Sequence, residues 1–111
     1  MNRIAISRAA TALLRALTAR AGVPRDRILL SEVCSTDWCS LTISGERHVF
    51  ELRIPAPDSG AVATRMCDGL EDAEFSIPGV IVADICAAGA PVCALDGSTL
   101  VTIEALTVAE T

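Results

Sequence analysis

Apolar positions along this chain recur first at helical spacing, then at strand spacing, and then the same order repeats. Ile6, Ala10, Leu13, Leu14, Leu17 and Ala21 form one apolar stripe and predict a helix over residues 3–21, with Arg8, Thr11, Arg15 and Thr18 opposite. Gly22 permits a left-handed cap and Pro24 cannot continue a helix, so together they supply the stop. From Arg27 to Ile54 the spacing falls to that of strands. "ILLSEV" is apolar and partly β-branched, and "SLTIS" meets "RHVFELRI" across Gly45-Glu46, a Gly-X pair that predicts a two-residue type II′ turn. In the second arm His48, Phe50, Leu52 and Ile54 share one face, while Val49, Glu51 and Arg53 share the other. "CSTDW" reads as a bulge or a corner, which leaves residues 28–44 as one bent strand or two short ones.

"PAPDSG" then breaks the sheet, and Asp58 or Ser59 can cap a second helix. Val62, Ala63, Met66, Cys67 and Leu70 cluster on one side of it, and Gly69 marks its end. "AEFSI" and "GVIVADICAA" read as extended segments kinked at Pro78-Gly79. The loop "GAPVCALDGS" returns the chain to "TLVTIEALTVAE", the last strand. The α-β-β-α-β-β order predicts a single α+β domain over residues 1–111, an antiparallel sheet with both helices on one face. A circularly permuted ferredoxin-like βαββαβ layer has the same order, a likeness of topology and not of family. The other face carries many small aliphatics, which a second subunit would cover.

Composition sharpens that expectation. Hydrophobic residues make up 51% and charged residues 21%, so there is ample apolar surface to fold. Trp38, Phe50 and Phe75 are the only aromatics, so the core must be aliphatic. A mean hydropathy of +0.48 is high for a small domain and points to an exposed apolar patch. All nine basic residues are Arg, which with the abundant Ala suggests a GC-rich genome, a bacterial one by expectation, so the Arg preference need not be functional. Charge is unevenly placed: residues 1–27 carry six Arg against Asp26, and the remainder carries three Arg against thirteen acids. An acidic body argues against nucleic acid as partner, because phosphate neutralisation needs clustered cations. The basic first helix can dock on an acidic surface, including that of a second subunit.

No secretory signal and no membrane-length apolar run is visible, so reduced thiols in a cytoplasm are the expected state of the five cysteines (34, 39, 67, 86 and 93). The Arg-rich, acid-free opening segment also reads as a mitochondrial transit peptide; the ordinary first helix of a domain is preferred, because the next motif follows without a linker.

Nucleotide-binding glycine motifs, nucleophile elbows, zinc helices, CxxC pairs and EF-hand loops are all missing. The chemical candidate is His48, placed beside Phe50 and Leu52; a strand carboxylate (Glu32, Asp84 or Glu104) could orient it as a general base. Asp84 and Glu104 interrupt apolar strands, and an interface carboxylate paired with an Arg of the first helix is the preferred reading for at least one of them. The cysteines lack the close pairs of structural zinc sites, so no metal and no cofactor is expected. Only Arg65, near Cys67, offers a positive neighbour for a thiolate. Trp38, Arg8 and Arg15 are the expected contact residues. These features favour a non-enzymatic homo-oligomer, a dimer, or an accessory protein that binds another protein and neither membrane nor nucleic acid. An acid/base enzyme or ligand-binding domain built on His48 is the alternative, and a cysteine metal or thiol-redox protein the third.

Overall fold

In the computed structural model, which describes residues 6–109, two helices cover one face of an antiparallel sheet. The first helix, α1, spans Arg8–Ala21. Its predicted start at residue 3 lies outside the described residues, and Ile6 precedes the helix. Ser7 explains the later start: its Oγ accepts the Ala10 N–H at 3.1 Å and so caps the first turn. Gly22 closes the helix in the left-handed conformation, as its position implied.

The hairpin consists of β1, Leu29–Cys39, and β2, Ser44–Ile54. Residues 28–44 thus hold one long strand, and the two-residue turn at Gly45-Glu46 is not formed. The chain reverses over residues 40–43, where Ser40 N–H donates to Ile43 C=O at 2.8 Å. Both glycine and the true turn residues fit a hairpin end, so spacing alone could not separate them. Gly45 has another purpose: it pairs with Trp38, and a Cβ there would overlap the Thr107 carbonyl and lie 3.0 Å from the indole Nε1. The irregularity expected at "CSTDW" lies earlier, between Leu30 and Glu32.

Helix α2 spans Ser59–Cys67. Neither expected cap is made there. Asp58 takes a left-handed φ of 61° without a capping bond, while Ser59 Oγ donates to the Gly97 carbonyl at 2.7 Å and so ties the helix start to the final loop. The remaining strands are β3 (Val80–Ala87), β4 (Val92–Cys93) and β5 (Thr99–Ala109). "AEFSI" forms no strand; only Ile77 bridges, to Val80. The sheet order is β1-β2-β5-β3, with β4 beside the start of β5. A ferredoxin-like permutation goes beyond what this order establishes.

Alternation along β2 and β5 builds the core. Phe50, Leu52, Ile54, Val101 and Ile103 join Leu13, Leu17, Val62 and Met66 in one buried cluster. The helix ends are held by each other's arginines. Arg20 of α1 donates to the carbonyls of Met66 and Asp68, and Arg65 of α2 donates to the Ala21 carbonyl at 3.0 Å. Each guanidinium therefore satisfies carbonyls that a helix terminus leaves free. These two arginines are therefore structural, and Arg65, expected beside Cys67, is engaged at the end of α1 instead. Among the described residues no helix is long and apolar enough to cross a membrane.

Gly45→Ala is expected to destabilise the fold by about 1–3 kcal/mol, because backbone must shift to admit the methyl group. Urea unfolding followed by the fluorescence of Trp38 measures it, and an unchanged midpoint would contradict the packing role.

Candidate functional site

His48 is fully buried on the helix-facing side of β2. Ser35 Oγ lies 2.8 Å from its Nδ1 and Thr107 Oγ1 lies 2.9 Å from its Nε2. Thr107 in turn donates to the Glu46 carbonyl at 3.4 Å. The assignment consistent with that donation has Ser35 O–H giving to Nδ1 and Nε2–H giving to Thr107; the ring positions themselves are compatible with either tautomer. The ring stacks on Phe50 with centroids 5.9 Å apart and planes 19° from parallel. Burial lowers the imidazole pKa below its ordinary value, more than the nearby Glu46 carboxylate raises it.

The carboxylates proposed to orient this histidine are elsewhere. Strand register puts Glu32 opposite Glu51, Glu104 opposite Val49, and Asp84 opposite Leu106. All three therefore share the face that the helices leave open, with the sheet between them and His48. The bulges after Leu30 and after Val82 set the parity of Glu32 and Asp84, which is why sequence alternation could not place them. Sequence reasoning also missed the actual partners. Ser35 and Thr107 read as ordinary strand hydroxyls, and the only available signal was that residues on the His48 face must supply the bonds.

A cleft of about 520 Å3 opens at the far end of the hairpin, lined by Ala9, Trp38, Glu46, Val80 and Thr107. His48 is not among its lining residues, although Thr107, which bonds the ring, is. With both ring nitrogens bonded to hydroxyls and no ring surface exposed, the histidine ties β1, β2 and β5 together.

The open face has its own order, read across the strands. One end row is Trp38, Gly45, Val108 and Ile81; the next is Thr36, Arg47, Leu106 and Asp84. A middle row of Cys34, Val49, Glu104 and Cys86 follows. Beyond it come Glu32, Glu51 and Thr102, then Leu29, Arg53, Leu100 and Val92. Leu29, Ile81, Val92 and Leu100 are all exposed. Glu51 has its pKa raised, chiefly by a hydrogen bond with Glu32 and the repulsion of that like charge. Trp38 is half-buried over Gly45, and its Nε1 has no hydrogen-bond partner among the described residues. Arg8 and Arg15 are exposed on α1.

The cysteines are all free. Among the described residues no group of three His, Cys, Asp or Glu side chains is arranged to hold a metal ion. Burial pushes the Cys67 thiol up, and the cation nearest in effect is Arg20 rather than Arg65, which is engaged with Ala21. Burial also raises Cys86, with Glu104, Asp84 and Glu71 adding to the effect. Neither environment stabilises a thiolate. Comparison with protein-family profiles, curated proteins and solved structures finds no match to this chain.

The lowered His48 pKa has a defined sign. The folded protein resists protonation that the unfolded chain accepts, so the stabilising effect is complete above the ordinary histidine value and is lost as pH falls through the folded one. Unfolding free energies at several pH values between about 7 and 5 should therefore decline. A His48→Asn variant, less stable throughout, should show a shallower decline in this window; an equal slope in both proteins would contradict the buried neutral ring.

Proposed function

We propose that this chain is a non-enzymatic interaction domain that pairs with a second copy of itself through the open sheet face. The observation that carries this reading is the self-complementary order of the rows. A two-fold axis along the Val49 row sets Trp38, Val108 and Ile81 of one copy on Leu29, Leu100 and Val92 of the other, with Arg53, held by Asp96, over Gly45 and Glu104 facing its own counterpart at the axis. The same operation sets Arg47 on the Glu32–Glu51 pair, the two carboxylates that repel each other within one copy.

The face spans about 27 Å along the strands and about 19 Å across them, from ordinary strand spacings. Pairing would thus bury about 1,000 Å2 in total, near the lower bound for a specific interface. A sheet packed on a sheet in this way is a common solution for an uncovered apolar face. Docking on an accessory protein of similar complementarity is the variant of this reading in which the second copy is replaced. The acid/base reading has lost its geometric support, because His48 and the strand carboxylates lie on opposite faces. The thiol and metal readings have gained none.

Native mass spectrometry across concentration should show a dimer. Arg47→Glu should weaken it about tenfold or more, and adding Glu51→Arg to that variant should restore it, since the swap exchanges the paired charges. A strict monomer, or a dimer indifferent to both changes, would remove the proposal.

A further inference from the structure

The outer margin of β1 is a second surface that the fold leaves unfinished. β1 hydrogen-bonds to β2 on one side and, among the described residues, to no strand on the other. Its 11 residues include no proline, and its charges are two acids, Glu32 on the open face and Asp37 on the helix-facing side. Its bulge lies near the start, so Val33–Cys39 continue in regular register. The opposite margin differs. β3 is interrupted in mid-strand between Val82 and Asp84, and Ile77 folds back to bridge Val80.

Between α1, the turn from Arg25 to Ile28 and the start of β1 lies an apolar recess of about 190 Å3, to which β1 contributes Leu30. Leu14, Ile28, Leu30 and Leu52 line it, together with the exposed Arg15 and Arg25. Leu14 and Leu30 are only half-buried at the recess, and Val33, the next helix-facing residue of β1 to pair with β2, is half-buried as well. Residues Arg8–Ala21 of α1 include no acid, and Arg15 and Arg25 make no ion pair among the described residues.

We infer that the groove between α1 and β1 binds an extended segment of a partner protein, which adds a strand to β1. That segment seats one aliphatic side chain in the recess and presents acidic side chains to Arg15 and Arg25. Each part rests on a different observation. The unpaired margin calls for an extended chain, because only a strand satisfies a row of outward N–H and C=O groups. The size and lining of the recess call for a single aliphatic side chain. The two unpaired guanidinium groups call for carboxylates.

A second copy of this chain suits the groove poorly. Pairing β1 with β1 about a two-fold axis would bring two α1 helices side by side, Arg15 near Arg15, with no helix acid to offset them. The groove also lies on the helix side of the sheet, away from the face proposed for dimerisation, so the two inferences stand or fall separately.

Selection from a displayed library of random peptides, each long enough to span β1, provides the test on the full chain. Enriched peptides should combine aliphatic or β-branched residues with Asp or Glu. The combined change Arg15→Glu and Arg25→Glu should weaken the best of them about tenfold or more, while Arg15→Lys with Arg25→Lys retains most of the binding. In the complex, amides of Val33–Cys39 should gain protection from hydrogen exchange. Arg47→Glu, which addresses the dimer, should leave peptide binding unchanged. The inference is overturned if nothing is enriched, if the enriched peptides are basic, or if binding survives the double charge reversal with the β1 amides unprotected.

Discussion

Burial of Phe50, Leu52 and Ile103 beneath the aliphatic faces of α1 and α2 decides which side of the sheet is inside, and strand alternation then decides everything on the other side. A chain with so few aromatics gains little from any single side chain, so the helix–sheet contact must be continuous along the strands. Once Phe50 points inward, His48 must follow it, and Val49, Glu51 and Arg53 must point away. The residues that looked most chemical in the sequence were thereby divided between two environments that share no solvent. One holds the histidine among hydroxyls; the other holds the carboxylates in water.

That division explains what could and could not be read in advance. The stripe Ala10–Leu13–Leu17–Ala21, the alternation of β2 and the extent of β5 depend on local periodicity, and they fold as their spacing implies. The errors concern relations between elements. The hairpin reverses at residues 40–43 because Gly45 is needed under Trp38, a cross-strand requirement invisible to a turn motif. Bulges shift the parity of Glu32 and Asp84, and a bulge has no compositional mark here. Thr18, placed with the outward residues of α1, is buried with its hydroxyl donating to the Arg15 carbonyl. The partners of His48 were legible only as members of a face, never as named residues.

The arginines illustrate the same point from another direction. Their number and their clustering toward the start of the chain suggested one basic surface. In the fold they separate into distinct populations. Arg20, Arg27 and Arg65 hold carbonyls, as Arg27 does with those of Pro55 and Pro57. Arg53 meets Asp96, and Arg47 stands on the open face. Among the described residues Arg8, Arg15 and Arg25 remain as outward charge on the helix side, a narrower positive patch than the sequence implied.

The exchange of arginines between α1 and α2 makes the helical layer one mechanical part. Neither helix can fray at its end without releasing a guanidinium that the other supplies, so their openings are coupled although they are separated by the entire hairpin in sequence. The sheet, by contrast, has margins that can loosen strand by strand. On the proposed reading, a partner strand arriving at the β1 margin would meet a sheet backed by two helices whose ends are tied to each other.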